Sequence, residues 1–493
     1  MGLTMLCGIA LGAHSCAVIR GLSPDGGVAE PQGSAGSGGT IAVSLPDGAS
    51  PDADVVDVGT PDVPGACQNL VCQQTTCTKG PCRQAPCQGG QSTTVTGTVF
   101  DPAGRVPLYN VAVFVPNVPL KPLSQGVSCG RCQATIADAV TSTLSDVNGQ
   151  FKLDNVPVGT NIPLVVQVGK WRRAVTIPNV AACTNTALPG ADLTRLPRNR
   201  LEGDLPRIAL TTGGDDALEC LLRKIGIDDS EFTPESGAGS VNLFAGVNGT
   251  DRYLAPLNGG VMFTPVAPWW DSADNLKTYD AILYSCEGTP NPTNKSAAAL
   301  QAFQSYVDAG GRVFASHYHN YWIGHAQPPL ANIATFVTNQ IALNELNVQV
   351  DVSFPKGAVL ADWLLNVGAS PQRGTLLVRG ARNTVTAVDA TLAQRWIYSD
   401  ATNSVQYLTA QTPAGLPAEQ QCGRVVFSDI HVSTGIQTAM PRDRSYPGPG
   451  DPMLGFPFPT GCMSPKQSPQ ELALEFMLFD LASCIQGGIP VIP

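Results

Sequence analysis

Charge is scarce in this sequence. Asp, Glu, Lys and Arg make up 14% of the residues, and 39 acidic against 29 basic side chains leave a formal net charge of -10. No block of Lys or Arg occurs, which argues against a nucleic acid partner, because phosphate binding needs a basic stripe. Beyond the chain start, no run is long and apolar enough to cross a bilayer. The common cofactor signatures are missing as well: there is no Walker loop, no GxGxxG and no HExxH. Histidine is rare, with five in 493 residues, so each position is informative. The surplus lies in Gly and Pro, 51 and 41, a loop-rich composition that suits an exported protein better than a helical cytosolic one.

Cysteine, by contrast, is plentiful. The stretch "CQNLVCQQTTCTKGPCRQAPC" holds Cys67, Cys72, Cys77, Cys82 and Cys87, one every fifth residue. That period fits neither a helix face nor a strand face. It is not the CxxC pairing of a zinc knuckle either, and no histidine lies near it. Polar residues, Gly and Pro fill the gaps, so the segment 67–90 reads as a small disulfide-stapled coil without a core; a metal or redox array is the other reading. Staples require an oxidising compartment. The chain start, "MGLTMLCGIALGAHSCAVIR", has an apolar run from Leu3 to Leu11 followed by small residues and Cys16, like the hydrophobic part of a signal peptide. "AHSC" is similar to a bacterial lipobox, which makes Cys16 the lipidation candidate. Residues 21–66, rich in Gly, Pro, Ser and Asp, cannot bury enough apolar surface to offset chain entropy and read as a disordered tether. The expectation is an exported protein of a bacterial cell envelope, in the periplasm or at the outer membrane, secreted or touching the membrane through a lipid anchor only.

Between residues 91 and 200 the chain alternates apolar and polar residues. Val95, Gly97 and Val99, then Val111, Val113 and Val115, follow the strand period, with the turn signal "DPAG" between them. Further on "DVNG" and "NVPVG" punctuate the strands "QFKL", "IPLVVQV" and "RRAVTI", as in a β-sandwich. The motifs "GTVFDPAG" and "SDVNGQFKLDNVPVG" resemble those of the carboxypeptidase regulatory-like domain, a transthyretin-like sandwich. An insertion containing "SCGRCQ", with Cys129 and Cys132, departs from that pattern. The resemblance implies a non-catalytic appendage that aids folding or binds surface partners.

From about 204 to 486 the rhythm changes to alternating strands and helices, which means a parallel sheet with crossovers. "RIALTTGGDD" is a strand and turn with Asp215 as a helix N-cap candidate; "YDAILYSCEG", "RVFASHYHN" and "GRVVFSDIHVS" are further strands with their terminal loops. Ligands of such sheets sit at the carboxyl ends of the strands. "YDAILYSCEG", "YVDAGGRVFASHYH" and "GRVVFSDIH" resemble the class I glutamine amidotransferase-like fold in its trehalose-utilisation (ThuA-like) branch, and place His317 and His431 at the two histidines of that branch. The fold class that follows is multidomain: a small transthyretin-like β-sandwich, then a doubly wound, flavodoxin-like α/β sheet of the class I glutamine amidotransferase-like kind. Amidotransferases place a cysteine nucleophile at the turn after the strand that here reads "RVFAS", where this chain has Ser316 and His317, so cysteine-based glutamine hydrolysis is not expected.

Four histidines, His317, His319, His325 and His431, fall near the strand ends. With Glu287 and Asp429 on neighbouring loops, they allow a divalent metal site, an acid–base site built on His317, His431 and Glu287, or a polar cluster that binds without reacting. His319, Tyr318, Trp322 and Asp429 are the candidate ligand-binding residues. Tyr318, Tyr321, Trp322, Trp269 and Trp270 either stack on sugar rings or pack the sheet edge. The expected ligand is a carbohydrate or cell-wall component; a hydrolase or sugar-modifying enzyme and a purely structural envelope component are the alternatives. Cys129, Cys132, Cys183, Cys220, Cys286, Cys422, Cys462 and Cys484, an even number, read as bridges, with Cys183 a partner for Cys129 or Cys132 and Cys286 for Cys220.

Overall fold

The computed structural model describes residues 69–75, 85–130, 136, 138–432, 456–462 and 466–485. The leader, the tether with Cys16, and Cys67, Cys77, Cys82, Cys132 and the Cys72 side chain lie outside the described residues. What is described belongs to one compact unit.

The first seven strands are β1 (Thr94–Thr98), β2 (Ala112–Pro116), β3 (Ala139–Leu144), β4 (Gln150–Leu153), β5 (Gly159–Val168), β6 (Trp171–Val180) and β7 (Asn185–Ala187). They form a three-stranded sheet in the order β4-β1-β7 and a four-stranded sheet in the order β3-β2-β5-β6. Val111, Val113 and Val115 join Val95, Phe151 and Leu153 in a common core, as their period-two spacing requires. The other face of β2 is covered too. Ala112 and Phe114 pack with Val165 beneath Leu120 and Ile136 of the insertion. The cysteine-rich stretch is not a bare coil throughout: Leu70–Thr75 is helical, and the Leu70 and Val71 amides donate to the backbone and side-chain oxygens of Asn117 at 2.8 Å each. Its two apolar residues are what allow it to dock.

The second group comprises β8 (Ile208–Thr211), β9 (Phe232–Thr233), β10 (Val241–Ala245), β11 (Thr264–Pro265), β12 (Ala281–Tyr284), β13 (Arg312–Ser316), β14 (Ala334–Phe336), β15 (Ala342–Val350), β16 (Thr375–Arg382), β17 (Val385–Val388), β18 (Ala393–Ser399), β19 (Ser404–Thr412) and β20 (Gly423–Ser428). Five of them, in the order β10-β8-β12-β13-β20, are parallel. Counted among themselves this is the order 2-1-3-4-5 of doubly wound sheets such as that of flavodoxin. Beyond β20 the sheet continues antiparallel through β19, β18, β15 and β16.

Each parallel strand is apolar on both faces, as burial under two helix layers demands. Leu210, Leu283, Phe314 and Val426 face the layer that holds the helices Leu218–Lys224 and Pro469–Ala482; Ala209, Ile282, Val313 and Val425 face the layer of Ala297–Asp308. Ser296 caps the helix Ala297–Asp308 by accepting the Ala299 amide. The helix Pro469–Ala482 opens on a capping box between Ser468 and Glu471. Asp215 does not cap the helix Leu218–Lys224. The N-cap is Ala217, whose amide is taken by the Asp216 carboxylate at 3.0 Å, because the turn runs two residues further than the Gly-Gly signal suggests.

The two-sheet unit is joined tightly to the α/β part. Trp171 packs edge-on against Phe479 with ring centroids 5.8 Å apart, and Trp363 donates to the Pro107 carbonyl at 2.8 Å. Ala103 donates to the Ile225 carbonyl at 2.9 Å. There Gly226 has φ of 100°, and a Cβ would stand 2.3 Å from the Ala103 nitrogen. Covalent links are Cys87–Cys183, Cys129–Cys422 and Cys220–Cys462. Cys484 is disulfide-bonded as well. The expected pairing of Cys183 with Cys129 or Cys132 is therefore corrected, since Cys183 reaches back to the end of the cysteine-rich stretch. So is the bridge at Cys286, which is a free buried thiol, because Cys220 is taken by Cys462.

Non-reducing peptide mapping should recover these three linked pairs, with the Cys286 peptide alkylated only after unfolding; a linked Cys286 would contradict the arrangement. Gly226→Ala should destabilise the chain by more than about 1 kcal/mol, read as a lowered melting temperature, because it combines a left-handed backbone with a close approach.

Candidate functional site at the carboxyl edge of the sheet

Parallel strands deliver their terminal loops to one edge. After β8 the chain passes through Thr212, Gly213 and Gly214. A Cβ on Gly213 would lie 2.2 Å from the Cys286 carbonyl oxygen, so only glycine lets this loop touch the one after β12. The contact is closed by the Asp215 amide, which donates to that carbonyl at 3.0 Å. Asp216 is buried beneath. One carboxylate oxygen accepts the Val432 and Ala217 amides at 2.8 and 3.0 Å, and the other accepts the Ser316 hydroxyl at 2.5 Å. Burial pushes its acidity up to about 7. The Ser316 hydroxyl is thus committed to Asp216.

Directly after Ser316 the backbone enters the left-handed region, with His317 at φ 42°. A non-glycine residue there carries roughly 1–3 kcal/mol of strain, which the packing around it must hold. The turn aims the imidazole at two partners. Nδ1 lies 3.2 Å from Cys286 Sγ, and Nε2 lies 2.5 Å from the Gln340 side-chain oxygen. That oxygen can only accept, so Nε2 carries the proton and the Nδ1 lone pair faces the thiol. His431, just beyond β20, stands edge-on to His317 with ring centroids 5.2 Å apart. Candidate ligand atoms of Cys286, His317 and His431 all lie within 4.8 Å of one another. Sequence placed the two histidines on separate loops; the sheet brings them together and adds a thiol.

All three are buried, and burial sets their protonation. It holds the His317 imidazole down to about 3, with the Arg382 guanidinium adding to the effect, and it holds His431 well below its ordinary value. It pushes the Cys286 thiol well up. At neutral pH the cluster is a thiol between two neutral imidazoles.

The other expected site residues lie elsewhere. His319 is a structural side chain: Nε2 donates to the Ser285 carbonyl at 2.9 Å, and Nδ1 accepts the Trp322 indole N–H at 2.9 Å. Trp322, with no exposed surface, sits in the core against Tyr284, Phe303 and Trp270, which removes it from the ligand-facing set. Trp269 and Trp270 are buried in the same way. Tyr318 and Tyr321 stay half-buried, and the Tyr318 ring lies 4.0 Å from that of His317. Glu287 turns from the cluster. It pairs with buried Lys295 at 2.9 Å and accepts from Asn291 and the Val247 amide. Burial opposes its charge, but His319 and Lys295 beside it hold the carboxyl below the ordinary range. Asp429 accepts the Thr384 amide and hydroxyl at 3.1 and 2.7 Å, and burial pushes it up to about 7.

Sequence reasoning missed Cys286, Gln340, Arg382 and Asp216. Cys286 was findable: it follows a buried strand by two residues, directly before Glu287, at the edge where ligands bind. The even cysteine count concealed it, because Cys87 of the array takes Cys183 and breaks the parity. Gln340 and Arg382 come from the antiparallel extension, and nothing local marks them. A separate cleft of about 320 Å³, lined by Trp171, Ile208, Ala281, Arg312 and Leu481, lies between the two-sheet unit and the opposite edge of the sheet, away from these side chains.

No family model matches the chain, and no curated protein matches it. Among solved structures, a protein described as ThuA-like from Bacteroides uniformis is 12% identical with a TM-score of 0.27, covering 46% of this chain and 82% of its own. A type II cohesin–X-dockerin complex from Acetivibrio cellulolyticus gives 15% identity and a TM-score of 0.15, over 30% of this chain and 78% of that one. Likenesses this distant assign the chain to no family.

Replacing His319 by Ala should cost about 1–3 kcal/mol of stability, since it strands the Ser285 carbonyl and the Trp322 N–H in the interior. Asp216 has a further signature. Its folded-state acidity, about 7, lies above the ordinary 3.8, so the native carboxyl keeps its proton where the unfolded chain has lost it. The group therefore costs stability as pH rises from about 4 to about 7. Asp216→Asn should gain on the parent across that window and level off above it, as read from melting temperatures at stepped pH. A constant difference would mean that the carboxyl does not titrate there.

Proposed function

We propose that this is an exported cell-envelope protein whose α/β part binds a small, oxygen-rich ligand, a carbohydrate or cell-wall fragment, at the carboxyl edge of its parallel sheet. The single observation that carries this reading is the convergence of His317, His431 and Cys286 from three different strand ends. Such an edge is where doubly wound sheets bind ligands. The disulfides support export, since thiols stay reduced in the cytosol. Lipid anchoring at Cys16 belongs to the same proposal, as do the ThuA-like character of the sheet and the transthyretin-like character of the sandwich; they rest on the sequence motifs.

The half-buried groups around the cluster suit oxygen atoms. Tyr318 and Gln340 offer hydrogen bonds, and Arg382 offers a cation whose Nε has no hydrogen-bond partner among the described residues. A guanidinium in that position favours ligands carrying a carboxylate, as cell-wall sugars and their peptides do. Binding without catalysis is favoured because burial holds the His317 imidazole down to about 3 and His431 well below its ordinary value, which makes both poor proton acceptors at neutral pH. The second reading, a hydrolase or sugar-modifying enzyme, draws on the Cys286–His317 contact, which has the geometry of a nucleophile and its base.

Calorimetric titration of the full chain with muropeptides and acidic oligosaccharides tests both. Binding should weaken at least about tenfold in Arg382→Ala, in line with about 1.5–3 kcal/mol for a hydrogen bond to a charged group, while the fold is kept. If no such ligand binds, or if Arg382→Ala binds equally well, the proposal fails. Iodoacetamide at neutral pH separates the two readings: Cys286 in a binding site should alkylate no faster than a buried thiol, whereas rapid, stoichiometric labelling would favour the enzyme.

A further inference from the structure

We infer that Cys286, His317 and His431 form a binding site for a borderline-soft divalent cation, zinc(II) foremost. The inference rests on the reading that the carboxyl edge is the functional site, and it names what that site holds.

The donor set comes first. One sulfur and two imidazoles, with ligand atoms all within 4.8 Å of one another, match the mixed S/N chemistry that zinc selects. Tetrahedral zinc holds sulfur at about 2.3 Å and nitrogen at about 2.0 Å, which separates the two donors by roughly 3.5 Å. The Cys286 Sγ to His317 Nδ1 distance is 3.2 Å. Three protein ligands leave the fourth position for water or a ligand oxygen, the arrangement of open rather than closed zinc sites.

Orientation comes second, and it is independent of the count. A metal-bound histidine almost always donates its other N–H to an oxygen, which fixes tautomer and ring direction. His317 does so before any metal arrives: Nε2–H is held by Gln340, and the Nδ1 lone pair points at the thiol. His431 is fixed through its backbone. Its carbonyl accepts the Gln470 side chain at 2.7 Å, and the next amide, Val432, donates to Asp216. The left-handed turn at His317 has the same consequence, because it commits a strained residue to a single direction.

Charge comes third. Neutral imidazole is the ligating form, and both rings are buried, where an unpaired positive charge is costly. Arg382 opposes a cation here. Against it stand the carboxyl of Asp215, close enough to act on Cys286, and the negative charge that the sulfur itself acquires. On binding, Cys286 loses its thiol proton to solvent; sulfur and the two nitrogens coordinate through lone pairs, and no electron changes hands. Uptake should therefore release about one proton per metal and tighten as pH rises.

Cobalt(II) alone, added to the metal-stripped full chain, is the probe. We expect about one equivalent bound, with intense visible bands of a four-coordinate ion and a near-ultraviolet sulfur-to-cobalt band. That sulfur band should vanish in Cys286→Ser. Affinity should fall at least tenfold in His317→Ala and His431→Ala, about 10–100-fold in Gln340→Ala as an outer-shell change, and not at all in His325→Ala, an exposed histidine. No sulfur band in the parent, or one that survives Cys286→Ser, overturns the inference. Should the variants misfold by near-ultraviolet circular dichroism, copper-catalysed oxidation of the parent decides instead: adducts on the His317 and His431 peptides support the site, and adducts only elsewhere overturn it. Ligand titrations on the stripped chain keep the readings apart. Binding of an acidic sugar without cobalt uptake would sink the metal site and leave the pocket standing.

Discussion

The carboxylate of Asp216 holds this molecule's carboxyl edge together. It takes amides from the start of a helix and from the segment after the last parallel strand, and a hydroxyl from the end of β13. Three stretches separated by about a hundred residues each are thereby bound to one buried group. Such a group is costly when charged and strongly directional when satisfied. Its neighbours inherit their positions from it: Ser316 is pinned, His317 follows in a left-handed turn, and Val432 anchors the histidine before it. The glycine that lets the first loop lie against Cys286 completes the enclosure.

Enclosure has a chemical consequence. Side chains that would be reactive in water are here kept in their neutral forms by desolvation. A buried thiol hydrogen-bonded to an imidazole is a nucleophile only if the pair can exchange its proton, and the low-dielectric surroundings disfavour that charge separation. The same neutrality suits lone-pair coordination, where the incoming cation supplies the charge that pulls the proton from sulfur. One arrangement is thus poor for thiol chemistry and favourable for binding. His319 makes the contrast: equally buried and two residues away, it has both nitrogens occupied and serves only to fix Trp322 beneath the sheet.

The two-sheet unit is no loose appendage. Its tryptophan, its insertion and one of its cysteines all engage the α/β part, and Cys129–Cys422 closes a chain separation of 293 residues. In the chain-entropy picture a cross-link over so long a loop removes about 5–6 kcal/mol of freedom from the unfolded state. The unit packs on the helix layer opposite Ala297–Asp308, so it stiffens the scaffold from the side while the strand-end loops stay clear of it.

Sequence alone determined the local grammar. Period two marked the small sheets and continuous apolar runs marked strands buried on both faces; these patterns follow from backbone geometry over a few residues and from which faces are covered. It also determined that His317 and His431 end parallel strands, hence that they share an edge. Tertiary structure decided the rest. Whether a tryptophan stacks on a ligand or fills a core depends on what lies above it, and Trp322 lies under the helix layer. Cysteine partners depend on which loops cross, so parity failed once the array supplied Cys87. Glu287 and Asp429 were legible as strand-end carboxylates, but only packing could turn one to Lys295 and the other to Thr384. Gln340, in the loop before β15, and Arg382, at the end of β16, reach the site from the segment inserted between β13 and β20, a juxtaposition that no short-range pattern encodes.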